Sequence, residues 1–138
     1  MTTDPVALVT GAARGIGAAT ALELGRAGYQ VVAVDACLGE KGQELAGVNY
    51  SLGSEADLRE VEHHGEGKIQ SVVCDVRDGK ALAAIVHNTL ERFGRLDIAV
   101  AAAAIISGGK PMWQTPNEEF ATLIDIDLIG VWNLAQAC

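Results

Sequence analysis

Val6-Ala-Leu-Val-Thr-Gly11-Ala-Ala-Arg14-Gly15-Ile16-Gly17 decides the fold. A short apolar run of strand character meets three glycines, and a helical pattern from Ile16 to Ala27 starts inside the motif. A glycine-rich turn between a strand and a helix presents free N–H groups and the positive end of the helix dipole, which together suit a pyrophosphate. Gly11 permits the tight turn, Gly15 lets the backbone approach a ligand, and Gly17 lets the helix pack closely. Arg14, inside the loop, is expected either to touch the phosphates or to lie along the helix surface.

Working outward, Gly28 stands where a C-cap glycine stops the first helix, and Val31 to Val34 reads as a second strand. Asp35 closes that strand, roughly twenty positions beyond the loop, where an acid accepts hydrogen bonds from the adenosine ribose hydroxyls. Its charge repels a 2′-phosphate, so NAD(H) is expected rather than NADP(H), with Ala36 beside the ribose. The stretch from Ala36 to Lys68 is Gly- and Glu-rich, and within it only Ser54-Glu-Ala-Asp-Leu-Arg-Glu-Val resembles a capped helix. A third strand, Ile69 to Val73, runs into Cys74-Asp75-Val76. Asp78 then reads as the N-cap of a helix with the stripe Leu82, Ile85, Val86, Thr89 and Phe93.

Leu96 to Ile105 is an unbroken apolar run of the kind found in a central parallel strand covered on both faces. Thr115-Pro-Asn-Glu118 has capping-box spacing with proline at the first helical position, and starts a last helix that continues to Cys138. Phe120, Ile124, Asp127, Val131 and Leu134 fall on one inward stripe of that helix, which puts a carboxylate among apolar neighbours. Leu128 and Trp132 form a second apolar face, expected to make a homo-oligomer. The repeated strand-helix order predicts an α/β, doubly wound parallel sheet of Rossmann type with at least four strands. Residues 1–138 read as the N-terminal portion of one such domain.

Bulk properties narrow the function. The 138 residues are 49% hydrophobic, enough for the core of one small domain. A formal charge of −8 repels nucleic acid and anionic lipid. Cys37, Cys74 and Cys138 are odd in number and widely spaced, which fits a reducing cytoplasm and neither disulfides nor zinc. The N-terminus has no basic region or signal-peptide core, and Ile98 to Ile106 is about half of a membrane span. The adjacent His63 and His64 diverge on a helix and His87 lies off its apolar stripe, so all three read as surface residues and no metal site is expected.

The loop Thr10-Gly-Ala-Ala-Arg-Gly-Ile-Gly17 resembles the T-G-x-x-x-G-x-G loop of short-chain dehydrogenases/reductases, and later landmarks extend the resemblance over essentially the whole chain. The resemblance implies that Cys74, Asp75 and Val76 hold the adenine ring. Leu96-Asp-Ile-Ala-Val-Ala-Ala102-Ala103-Ala104 is similar to the family's L-D-x-x-V-N-N-A-G segment, which passes the ribose and nicotinamide; both asparagines and the last glycine are replaced here. Backbone contacts by Ala102, Ala103 and Ala104 survive that replacement. Asp127 stands where the family's catalytic asparagine stands, and is expected either to hold an ordered water as the asparagine would or, in apolar surroundings, to favour its protonated form. The long Ala36 to Lys68 segment and Asp127 also resemble the short-chain dehydrogenases associated with the redox peptide mycofactocin, which implies tight retention of NAD.

The family's remaining catalysts, a serine and a Tyr-x-x-x-Lys pair, have no match here, since neither Tyr29 nor Tyr50 has a lysine four residues on. They are expected beyond Cys138. Two functions follow: an NAD-dependent oxidoreductase acting on an alcohol or ketone, or a non-catalytic NAD-binding or sensor module. Met112 and Trp113 are expected to line a substrate pocket or to pack on the last helix. Ala36 to Lys68 is expected to fold over the adenosine end of the cofactor, with a mobile surface loop as the alternative.

Overall fold

The computed structural model describes residues 1–138. Its elements run β1 (Val6–Thr10), α1 (Gly15–Arg26), β2 (Gln30–Asp35), α2 (Glu55–His64), β3 (Ile69–Val73), α3 (Gly79–Phe93), β4 (Ile98–Ala101), α4 (Asn117–Leu123) and α5 (Gly130–Ala137), with a π-helical turn at Ile124–Ile129 between the last two helices. The four strands form one sheet in the order β3-β2-β1-β4, and every pair is parallel. Leu8 pairs with Val32 on one side and Ala99 on the other. The chain therefore winds outward from β1 to β3 and then crosses back to β4. The reversal opens a crevice at the carboxyl ends of β1 and β4.

Alternation along β1 divides the core between two layers. Leu8 points with Val32 and Val34 towards Leu82 and Val86 of α3 and Leu134 of α5. Val9 points with Val31 and Ala33 towards Ala21 of α1 and Leu58 and Val61 of α2. Strands covered on both faces need apolar residues at every position, and Val6 through Val9 have no exposed surface. Asp78 caps α3 by accepting from the Ala81 N–H at 3.0 Å, and the stripe Leu82, Val86 and Thr89 is buried as expected. At α2, Ser54 and Asp57 form a reciprocal capping box, with Ser54 Oγ accepting from Asp57 N at 3.2 Å and Asp57 Oδ2 accepting from Ser54 N at 2.8 Å.

Four expectations are corrected. The fourth strand, Ile98–Ala101, is shorter than its apolar run and is the outermost of the four strands formed by these residues. An alanine run carries no period that marks where a strand ends, and no further strand or helix covers that edge within these residues. Thr115 makes no side-chain cap; α4 begins at Asn117 behind Pro116. The inward stripe of the last helix is shifted, because a π turn takes one extra residue and rotates everything after it. Val131, beyond the turn, is consequently exposed, Phe120 ahead of it is exposed as well, and Leu123, Ile126 and Leu134 pack on the core. Finally, Met112 and Trp113 neither pack on the last helix nor reach the crevice; both are more than four-fifths exposed.

The segment from Ala36 to Ser54 is folded down, not loose. A 3-10 turn occupies Gly39–Glu44. The Gly39 N–H donates to Gly53 O at 3.0 Å, and the Leu52 N–H donates to Gly39 O at 3.1 Å. Val48 enters the core, only 4% exposed, with Leu45, Tyr50 and Leu52 packed beside it.

Candidate dinucleotide site

The crevice holds a cleft of about 260 Å³. Its floor is the glycine loop, and each glycine has a separate reason to lack a side chain. Gly11 has φ +68°, and a Cβ there would stand 2.5 Å from the Ala103 backbone nitrogen. Gly17 would carry a Cβ 2.0 Å from Gly11 O, so the helix packs on the loop's own backbone. Gly15, at φ +58°, would meet nothing within 4 Å, which leaves open space towards the cleft. Ile16 lines the cleft and is 82% exposed. No side chain caps α1, so its first N–H groups stay free for a ligand.

Asp35 stands at the lip. Its Oδ2 accepts from the Ala13 N–H at 3.0 Å and its Oδ1 from the Cys37 N–H at 2.8 Å, which fixes the carboxylate against the loop. Gly53 passes so close that a Cβ would lie 2.6 Å from Ala13 Cβ and 3.6 Å from Asp35 Oδ1. Cys37 adopts a left-handed φ of +53°. Its thiol is pushed up to about 11, first by desolvation and then by the charges of Asp35, Glu55 and Asp57, and so stays protonated at neutral pH.

All thirteen residues expected to hold the cofactor line this one cleft: the loop residues, Asp35 and Ala36, the Cys74-Asp75-Val76 turn, and Ala102 to Ala104. Thr10 Oγ braces the last of these groups, standing 3.4 Å from both Val100 O, to which it donates, and the Ala103 N–H, from which it accepts. Asp75 lies below the usual carboxylate range. Desolvation raises it, and hydrogen bonds from Arg77 outweigh that effect.

Two expected site residues take different partners. Arg14 donates through Nη1 to Ser51 O at 2.7 Å and lies 5.9 Å from the centre of the Tyr50 ring, so it ties the glycine loop to the folded-down segment. Asp127 is behind the cleft wall, where its Oδ1 accepts from the Ile105 N–H at 2.9 Å. Leu38, Leu52 and Gly53 also line the cleft and were not foreseen. Nor was Tyr50, whose hydroxyl accepts from the Ile106 N–H at 2.7 Å and donates to Ile106 O at 3.1 Å. A lone tyrosine beside apolar Val48 and Leu52 in an otherwise polar stretch was the available signal.

No cluster of three or more His, Cys, Asp and Glu residues is placed to hold a metal, and no helix is long and apolar enough to cross a membrane. A family model described as enoyl-(acyl carrier protein) reductase matches residues 11–138. An uncharacterized NAD-dependent oxidoreductase of Mycobacterium tuberculosis is 38% identical over 136 residues, covering 96% of this chain and 47% of that protein. The (-)-trans-carveol dehydrogenase of Rhodococcus erythropolis is 36% identical, over 95% of this chain and 47% of its own length. Carveol dehydrogenase from Mycobacterium avium, solved in complex with NAD, superposes with a TM-score of 0.87 at 32% identity, over 96% of this chain and 47% of its own. The chain thus spans about half the length of the relatives it matches. On the glycine loop, the sheet order and these likenesses together, the chain belongs to the short-chain dehydrogenase/reductase family.

Proposed function

We propose that the full protein is a cytoplasmic oxidoreductase that moves hydride between NAD(H) and an alcohol or ketone, and that these residues are its dinucleotide-holding part. The observation that carries this reading is Asp35, an anchored carboxylate at the lip of a glycine-lined cleft. The residues fit the cofactor: Gly15 leaves space where a pyrophosphate approaches, uncapped N–H groups face it, and the carboxylate of Asp35 accepts from ribose hydroxyls. When bound, NAD(H) supplies the hydride or takes it up. The NAD-dependent and carveol dehydrogenase names among the relatives support the cofactor and an alcohol substrate.

Titration of the full-length protein with both cofactors tests the ribose assignment. Wild type is expected to bind NAD(H) at least about 100-fold more tightly than NADP(H). Asp35→Ala should lose about 10- to 100-fold in NAD(H) affinity, since hydrogen bonds to a charged group are worth about 1.5–3 kcal/mol. A wild-type preference for NADP(H) would show the assignment to be wrong.

Asp127 acts on this reading by fixing the segment that runs beside the nicotinamide. Asp127→Asn keeps an oxygen that accepts from the Ile105 N–H and should retain most turnover, whereas Asp127→Ala should lower kcat about tenfold. Equal losses in the two variants would mean that the charge itself takes part in proton transfer.

A second reading, a non-catalytic NAD-binding or sensor module, draws on one observation. Tyr50, one of two tyrosines in the chain, has its hydroxyl committed to Ile106. Turnover of secondary alcohols by the full-length protein decides between the readings. We also assign the outer face formed by the π turn and α5, where Leu128 is 58% and Trp132 62% exposed, to contact between copies of the protein. Sedimentation at micromolar concentration is expected to show an oligomer, and a monomer would remove that assignment.

A further inference from the structure

The order of strands fixes which end of the cleft is which. Asp35 ends β2, the glycine loop follows β1 and Ala102 to Ala104 follow β4, and these strands stand side by side as β2-β1-β4. A dinucleotide with its adenosine ribose at Asp35 and its pyrophosphate on the glycine loop therefore carries its nicotinamide to the β4 side. An alcohol that exchanges hydride must bring its carbon to within about 3–3.5 Å of that ring. The chain leaving β4 thus runs beside the substrate.

Three other parts of the chain tie this stretch down. Asp127 Oδ1 accepts from the Ile105 N–H, and the Tyr50 hydroxyl takes both backbone groups of Ile106. The third tie has no part in the cofactor reading. Glu119, in the first turn of α4, accepts from Ser107 Oγ through Oε2 at 2.9 Å and from Lys110 Nζ through Oε1 at 2.8 Å. Its side chain is only 16% exposed. One carboxylate thereby closes Ser107-Gly-Gly-Lys110 into a loop whose two middle residues have no side chain to hold them. Gly47, from the segment that passes over Asp35, fits against the same pair. It has φ +84°, and a Cβ there would lie 2.6 Å from Ser107 Oγ and 2.9 Å from Glu119 Cγ.

We infer that Glu119 is a positioning residue for the substrate: it holds Ser107 to Lys110 as a fixed wall at the nicotinamide end of the cleft, and Gly47 sets where that wall stands. The inference rests on the oxidoreductase reading above and deepens it. Consecutive glycines leave a backbone unusually free, and without the carboxylate an alcohol would have to order them as it binds. With the carboxylate in place, that entropy is lost before the substrate arrives. Affinity for the alcohol therefore depends on Glu119, whereas the ribose and pyrophosphate contacts at the other end do not. Glu119 acts through Ser107 and Lys110.

Steady-state kinetics of the full-length protein with NAD and a panel of secondary alcohols, 2-butanol and cyclohexanol among them, test this together with stopped-flow NAD release. Glu119→Ala should raise KM about tenfold and leave kcat within about threefold, the pattern of binding lost equally from ground and transition states. NAD release should stay within about twofold of wild type, because distant and independent contacts do not couple. Glu119→Gln should fall between, since an amide oxygen still accepts from Ser107 while the charge facing Lys110 is gone. Gly47→Ala should raise KM as well. Combined with Glu119→Ala it should raise KM no further than the larger single effect, because both changes free the same wall. An unchanged KM in Glu119→Ala overturns the inference, and so does a loss shared equally by KM, kcat and NAD release, which marks mere support of the fold. A wild type that binds NAD and oxidises none of the alcohols overturns the oxidoreductase reading, and this inference with it.

Discussion

Replacing Gly17 with alanine should abolish dinucleotide binding, with affinity for NAD(H) falling at least about 100-fold. The added Cβ would lie 2.0 Å from Gly11 O, 2.6 Å from Gly11 C and 3.2 Å from Ala12 Cα. All three are backbone atoms, so no side chain can rotate to make room. Either the first turn of α1 or the loop must move, and that turn carries the free N–H groups which the pyrophosphate needs at about 2.7–2.9 Å. Overpacking of this sort also destabilises by about 1–3 kcal/mol, so denaturation should report a loss alongside calorimetry. Gly15→Ala separates the two effects. Its Cβ meets no protein atom, so stability should fall by only the left-handed strain of about 1–2 kcal/mol, while the methyl group still intrudes on the cleft. A Gly17→Ala protein that binds NAD(H) within about threefold of wild type would sink the packing argument.

Periodicity and motif position made the sheet, the glycine loop and Asp35 legible in advance, because strands covered on both faces announce themselves as continuous apolar runs and the loop and the acid follow strands whose carboxyl ends must converge. The Cys74-Asp75-Val76 turn and Ala102 to Ala104 were placed at the cofactor by the family resemblance alone, and they line the same cleft. What periodicity could not carry was phase. The π turn at Ile124–Ile129 rotates the rest of the last helix, so a reading at 3.6 residues per turn placed Val131 inside when it is exposed; Phe120, ahead of the turn, is exposed as well. Asp127 sits at that turn, and its contact with the Ile105 N–H was not read from the sequence, which placed it only on an inward stripe.

The partners of Arg14 were illegible for a different reason. Arg14 inside a phosphate loop reads as a phosphate ligand because charge is visible in sequence, whereas a backbone carbonyl such as Ser51 O is present at every residue and marks nothing. The same holds for Tyr50 and the Ile106 backbone. Contacts from a side chain to a main chain across 56 residues leave no pattern in either partner.

Those two contacts shape the largest kinetic effect expected of this protein. The segment after Asp35 leaves the end of β2, passes Gly53 over Asp35 and Ala13, and is pinned by Arg14 on the glycine loop and by Tyr50 on Ile106 beyond β4. Since β1 lies between β2 and β4 in the sheet, the segment spans the carboxyl end of β1 on its way to Ile106. We expect it to retain the cofactor, so that deleting residues 39–53 from the full-length protein speeds NAD dissociation about 100-fold or more. The Gly39 N–H already bonds Gly53 O at 3.0 Å, so Leu38 can be joined to Ser54 with little strain. The deletion also removes Val48 from the core, which leaves open whether a faster release reflects the lost cover or a loosened fold. Tyr50→Phe resolves this. It keeps the ring beside Arg14 and the core, and removes only the two hydrogen bonds to Ile106, each worth about 0.5–1.5 kcal/mol. Stopped-flow release from that variant should be about tenfold faster than wild type, with the melting temperature lowered by only a few degrees, far less than in the deletion. If both variants release NAD at the wild-type rate, the segment is a surface feature and retention must come from elsewhere; if only the deletion is fast, Val48 and not the latch holds the cofactor in place.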